Sequence, residues 1–445
     1  MAGLSALAAL GPGQAGHARP PDVAARTPIA TPGASAAATG SISAARLKGA
    51  LGGLARAAGA GSGVWVYDAD SERTLFGSRA NRRRILASNT KLFTTATALD
   101  RLGADARLET RVWAPGVTED EPPPSGGETP PPGGDPGEDP QPFDGVVEGS
   151  LYLVGGGDPA LGSPAFARAN NLPLTNLKDL AVEVRRAGIE KVEGKLRVDA
   201  SVFDRRRGTG VSGWSRYIGP LSGLTYNSGL GGGDPALSAG DTFEGLLRKQ
   251  GIRVSGVARD AVPAELRDEP PVATAHSLEL ARLVDETNET SNNFFAETLL
   301  KRLDAGDGQH GTTKGGARRV RAFARRLGSK VRSRDGSGLS RANRGSPHDV
   351  GKLLAGMLDH DAHEAFESSL PVAGREGTVR GRMRGTAAQG RCRAKTGTLT
   401  GVSALSGYCD AGGSTVVFSI LMNGVDVTVA RALQDRMVAA IARYG

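Results

Sequence analysis

Several shortages narrow the reading of this 445-residue chain before any motif is considered. Only two cysteines are present, Cys392 and Cys409, too few for a metal framework but enough for one bridge in an exported protein. No run of about 18 apolar residues occurs, so nothing reads as a membrane-spanning helix. Aromatic residues make up 4% of the chain, and the arginine clusters at 82–84, 205–207 and 317–326 are scattered without the aromatic interleaving of a nucleic-acid surface. The net charge of +8 is therefore not read as a sign of nucleic acid. Lysine is scarce as well, and Lys91 is the only lysine with a serine three positions before it.

The composition, 39% hydrophobic and 23% charged, is that of a globular chain, and its length allows two or three domains. Residues 1–40 hold one short apolar piece (4–10) followed by a Pro-, Ala-, Gly- and Thr-rich stretch. The basic start of an export signal is missing, so this segment reads either as the remnant of such a signal or as a flexible tail. Residues 114–145 are acidic and rich in proline and glycine, and they predict a disordered insertion.

Helical spacing of Leu47, Leu51 and Leu54 predicts a helix over 43–58, and "GVWVYDADSERTLFGSRAN" predicts two strands joined at 68–72. "RRILASNTKLFTTATAL" follows, with Ser88 at a helix start and Lys91 three residues on. Short strands around 146–155 and 191–201 flank a helix at 177–187. The phrase "GGGDPAL" occurs at 155–161 and 231–237; neither copy reads as a phosphate loop, because no Gly-Lys-Ser/Thr follows and no helix is expected to open on it. Helical periodicity returns at 277–290, breaks at "TSN", and resumes at 292–303. The chain should close with a hairpin, a third strand and a covering helix.

Residues three apart on a helix share a face, so Ser88 Oγ and Lys91 Nζ can meet. A serine hydroxyl needs a base, and a lysine serves as one only when burial or neighbouring cations lower its pKa. Taken singly, each motif is ordinary: serine caps helices, "SNN" fits a loop and "KTG" fits a strand before a turn. Their order and settings are not. Ser-x-x-Lys after two strands, Ser-x-Asn between helices and Lys-Thr-Gly on a late strand form the set used by penicillin-binding proteins and related β-lactamases. There is no Gly-x-Ser-x-Gly elbow for a Ser-His-Asp hydrolase, and His360 with His363 lacks a third metal ligand.

From about residue 41 onward, the chain resembles the class C low-molecular-mass penicillin-binding proteins, the D-alanyl-D-alanine carboxypeptidase/endopeptidases. The resemblance extends to "LYLVGGGDPAL" (151–161), "DGSGLSRANRGSP" (335–347) and "SLPVAGREGT" (369–378). It implies an α/β fold: a transpeptidase/β-lactamase-like domain, an antiparallel sheet flanked by helices, from residues 41–102 and 273–445, with accessory domain material inserted at 103–272. It further implies that Ser88 becomes the acyl-enzyme, Lys91 takes its proton, Ser291 bridges the two lysines and relays a proton to the leaving amine, and Lys395 supplies positive potential that keeps Lys91 neutral and attracts the terminal carboxylate. Asn293 would bind the substrate peptide. The Thr398 N–H would join that of Ser88 in an oxyanion hole beside Gly397, and Thr396, Thr398 and Thr400 would receive the terminal carboxylate. Asp158 is a weaker candidate for the substrate's free amine, equally suited to capping a turn.

The implied activity is exported, in the cell envelope or outside it. It needs no metal or cofactor, acts on peptidoglycan stem peptides, and takes β-lactams as covalent inhibitors. A catalytically silent wall-binding module and a β-lactamase of the same fold are the alternatives. Symmetric pairing about residues 400 and 401 would set Cys392 opposite Cys409, predicting a cross-strand disulfide.

Overall fold

The computed structural model describes residues 43–115, 145–208, 218–230, 232–306 and 309–445. The amino-terminal segment and almost all of the acidic insertion expected at 114–145 lie outside them.

The predicted first helix runs Ala44–Ala57, its start capped by the Ser43 side chain, and buries Leu47 and Leu51. The strands Ser62–Asp68 and Arg73–Ser78 follow as expected. They complete a five-stranded antiparallel sheet whose order is Cys392–Leu399, Val402–Ala411, Ser414–Asn423, Ser62–Asp68, Arg73–Ser78. Both ends of the described chain therefore build one sheet.

Alternation along the strands explains why helices cover both faces. Val417 and Leu421 join Trp65, Phe93, Val284, Phe323 and Leu354 in one core. Their neighbours Val416, Phe418, Ile420 and Met422 join Leu47, Leu51, Met437 and Ile441 in another. The covering helix Val427–Ile441 closes this second side.

The inserted residues form a second five-stranded sheet, Ala273–His276, Glu109–Trp113, Leu151–Gly155, Leu196–Asp199, Val257–Arg259. Its first two pairings are antiparallel and its last two parallel. It has its own core, including Leu153, Leu180, Val198 and Phe243. Strand Ala273–His276, counted above with the segment after the insertion, pairs within this sheet. The second "GGGDPAL" differs from the reading above: Asp234 caps a helix, Pro235–Lys249, that opens on it. Among the described residues no helix is long and apolar enough to cross a membrane.

A buried ion pair links the insertion to the rest. Lys301, whose side chain is 0% exposed, donates to Asp204 Oδ1 at 2.6 Å and to the Arg206 carbonyl at 2.7 Å. Lys301 lies on helix Asn293–Arg302, which begins at the second motif.

Candidate active site

Ser88 sits in a 3₁₀ turn, Ala87–Asn89, that leads into helix Thr90–Leu102. Ala87 enters the turn at φ 46°, left-handed backbone that a side chain adopts only under constraint. The constraint is visible on both sides. Asn89 is fully buried; its Nδ2 donates to the Lys395 carbonyl (2.9 Å) and its Oδ1 accepts from Ser406 Oγ (2.8 Å), tying the turn to strands Cys392–Leu399 and Val402–Ala411. Gly397 on that strand runs so close that a Cβ there would stand 3.0 Å from the Ser88 nitrogen and 3.1 Å from that of Asn89. Opposite, Gly338 has φ 88°, and a Cβ on it would fall 1.9 Å from the Ala87 carbonyl oxygen. Only glycine fits at position 338, and a side chain at 397 would force the turn to give by a few tenths of an ångström. Ser88 itself is half-buried between buried neighbours.

One turn on, Lys91 is fully buried. Its Nζ donates to Ser88 Oγ (3.1 Å), Asn293 Oδ1 (2.8 Å) and the Ser337 carbonyl (2.6 Å). Burial lowers its pKa from 10.5 to about 7, and the carboxyls of Glu297 and Asp335 oppose a further fall. Lys395 is also fully buried; burial first, and then the charge of Lys91, hold it well below the ordinary lysine range. Near neutrality Lys91 can thus give up a proton and then accept one from the hydroxyl beside it.

Ser291 lies in the break between helices Leu280–Glu289 and Asn293–Arg302, and Asn293 opens the second of them. Ser291 takes φ 65°, a second left-handed non-glycine residue in the site. It lines the same cleft of about 510 Å³ as Ser88, Thr396, Gly397 and Thr398. Ser291 does not bridge the two lysines in this arrangement: Lys91 Nζ donates to Ser88, Asn293 and Ser337, and Lys395 Nζ to the Thr396 carbonyl at 3.2 Å. Asn293 Oδ1 accepts from Lys91 Nζ, a contact that the resemblance did not supply.

Strand parity explains the reach of the third motif. Cys392 and Ala394 turn their N–H groups outward, to the Ala388 and Pro371 carbonyls. Thr398 has the same parity on this edge strand, so its N–H points the same way. Thr396 Oγ1 donates to Thr378 Oγ1 (2.8 Å), and Thr398 Oγ1 accepts from Arg431 Nη2 (3.1 Å). Thr400 falls beyond the strand, exposed and off the cleft, where its carbonyl accepts from Arg341.

Asp158 is not brought to the cleft. It is 4% exposed, its Oδ1 accepts from Ala160 N–H at 2.8 Å, and burial raises its pKa to about 6, which is the turn-capping alternative. His360 faces Asp100 and His363 faces Glu367. Cys392 and Cys409 are paired in register and bonded, at a Cα–Cα distance of 4.1 Å.

The sequence reading missed Asn89, Thr378, Arg382 and Arg431. Arg382 and Arg431 also line the cleft, Arg382 fixed by Asp435 at 2.7 and 2.9 Å. Asn89, inside the first motif, was the one with a local signal.

Comparisons with known proteins agree with this geometry. The model of the D-Ala-D-Ala carboxypeptidase 3 (S13) family matches residues 45–128, 138–231 and 220–444. The D-alanyl-D-alanine carboxypeptidase of Actinomadura sp. (strain R39) is 29% identical over 87% of this chain and 82% of that protein. Carboxypeptidase DacB of Mycolicibacterium smegmatis is 27% identical over 85% of this chain and 80% of its own length. Among solved structures, penicillin binding protein 4 (dacB) from Haemophilus influenzae superposes with a TM-score of 0.66 at 19% identity, covering 87% of this chain and 97% of that one, a likeness of fold.

Proposed function

Since the chain belongs to the D-Ala-D-Ala carboxypeptidase S13 family, we propose that Ser88 is the acylated serine of this peptidase and Lys91 its base. The chain is a serine hydrolase of D-Ala-D-Ala peptides of peptidoglycan. The observation that carries the residue assignment is the 3.1 Å contact of Lys91 Nζ with Ser88 Oγ, made by a lysine whose pKa burial has brought to about 7.

Ser88 Oγ bonds to the carbonyl carbon of the penultimate D-alanine as its proton passes to Lys91 Nζ. The oxyanion is received by the N–H groups of Ser88 and Thr398. Collapse breaks the C–N bond, and the leaving amine takes the proton, with Ser291 as the relay once substrate fills the cleft. Water then attacks the acyl-enzyme with the same base, releasing the shortened peptide and restoring Ser88. Arg382 and Arg431 bring positive charge to the cleft lining and the hydroxyls of Thr396 and Thr398 add polar contacts where the substrate's terminal carboxylate must lie. β-Lactams would acylate Ser88 by the same attack. Residues 41–102 and 277–445 form the catalytic domain and 103–276 the accessory one, and the protein works outside the cytoplasm, where its substrate lies.

The test is covalent labelling by a fluorescent penicillin together with D-alanine release from a peptide ending in D-Ala-D-Ala. The native chain should label and release D-alanine, and Ser88→Ala should do neither. Labelling that survives the substitution defeats the assignment, and rapid loss of the label without peptidase activity would make the chain a β-lactamase.

A further inference from the structure

Two carboxyl groups lie buried beneath Lys91, and the mechanism above uses neither. Glu297 is 0% exposed on helix Asn293–Arg302; its Oε1 accepts from the N–H groups of Gly336 (3.0 Å) and Ser337 (2.8 Å), and its Oε2 has no hydrogen-bond partner. Asp335 is 0% exposed too. Its Oδ1 accepts from Gly338 N–H (2.9 Å) and Asn343 Nδ2 (2.6 Å), and its Oδ2 from Ser340 N–H (2.6 Å). Thr94 Oγ1 donates to the Gly336 carbonyl (2.9 Å), so the loop is gripped from the base's own helix as well.

These contacts converge on one peptide group. Between Ser337 and Gly338, the N–H goes to Asp335 and the C=O to Lys91 Nζ. A neutral amine has two N–H bonds and one lone pair. With Asn293 Oδ1 and the Ser337 carbonyl, both acceptors, taking the two N–H bonds, the lone pair has one direction left, toward Ser88 Oγ. If the Ser337 carbonyl moves away, the amine is free to rotate.

We infer that Glu297 is a positioning residue for the base: by holding the Gly336 and Ser337 amides it fixes the Ser337 carbonyl against Lys91 and so aims the amine at the nucleophile. The inference rests on Lys91 being the base. The groups that face Glu297 are Asp335 from the loop, Lys91 from helix Thr90–Leu102 and Lys301 one turn along its own helix, with Lys395 beyond Lys91. Burial and then the charge of Asp335 push Glu297 up from the ordinary carboxyl range, and what the geometry uses of it is the single oxygen that accepts from both amides. A side chain that keeps only the acceptor oxygen can therefore replace the carboxylate.

The experiment is acylation of the full chain by a fluorescent penicillin, followed in stopped flow from pH 5.5 to 9, in native, Glu297→Gln, Glu297→Asp and Glu297→Ala proteins. Gln keeps an oxygen at the two amides and should acylate within about fivefold of native at the high-pH plateau, whereas Ala should be slowed about a hundredfold, the effect of a base displaced by about an ångström. Asp, one methylene short, should behave like Ala; it carries the test if Ala does not fold. A purely structural role would lower the melting temperature in Ala and Asp yet leave the acylation rate of the folded fraction at the native value, and that result overturns the inference. A Gln variant as slow as Ala overturns it too, by making the charge rather than the acceptor the active element. Native protein that fails to acylate at Ser88 defeats the reading of Lys91 and this inference together, while native acylation with a fast Ala variant defeats the inference alone.

Discussion

Gly397 and Ser88 approach so closely that one added methyl would press to within 3.0 Å of the Ser88 nitrogen. The same Cβ would be 3.0 Å from the Leu86 carbonyl oxygen and 3.1 Å from the Asn89 nitrogen, so all three contacts are to backbone and none can swing aside. Gly397→Ala should therefore shift the turn by a few tenths of an ångström and slow acylation by about ten- to a hundredfold, with a smaller effect on stability. Acylation rates and melting curves of the variant check this; a native rate would show that the turn tolerates the displacement.

The pH dependence of acylation follows from Lys91. Its proton must leave before it can act as a base, so the acylation rate should rise with pH along a limb centred at about 7. Stability should rise across the same range and beyond. Between about 7 and the ordinary value of 10.5 the unfolded chain holds a proton on Lys91 that the folded chain has lost, so the unfolded state binds more protons and ΔG of unfolding increases with pH. Below about 7 both states are protonated and the cost of burying the charge is present in full. An acid limb lying at pH 9 or above would contradict the burial of Lys91.

Arg431 is exposed at the cleft rim and donates to Thr398 Oγ1. Arg431→Ala should lower kcat/KM about tenfold for a peptide with a free terminal carboxylate, the loss of one charge-assisted contact at a wet site. It should barely change the value for the same peptide carrying a terminal amide. Equal losses on both peptides would remove the carboxylate from the explanation.

The Cys392–Cys409 bridge closes a 17-residue separation around the third motif and lies wholly inside the core. A loop of that size corresponds to about 3 kcal/mol in the chain-entropy account. Reduction, or Cys409→Ala, should lower the melting temperature by several degrees while the folded protein still acylates. Thiol titration of the unreduced, denatured chain checks the bond itself: two reactive thiols would refute it.

The parts of the site legible in the sequence are those whose chemistry is local. Ser88 and Lys91 are one helical turn apart, Lys395 to Thr398 form one strand, and the cysteine pairing follows from counting along a hairpin. What stayed hidden depends on chain distance. Nothing around Glu297 announces that it will hold amides 39 and 40 residues away, nor does Gly338 reveal that it must pass the Ala87 carbonyl. Asp158 shows the converse error: an aspartate before proline is as suited to capping a turn as to meeting an amine, and burial, which the sequence does not display, selects the cap. Ser291 and Asn293 were found by motif, yet the inward turn of Asn293 toward Lys91 needed coordinates.

The Lys301–Asp204 pair makes the insertion a debt held by the catalytic helix. Excising the inserted segment would strand an ammonium that is now 0% exposed, on the same helix that carries Asn293 and Glu297. Such a chain would be under pressure to hydrate Lys301 by opening that helix, and the base would lose two of its supports together.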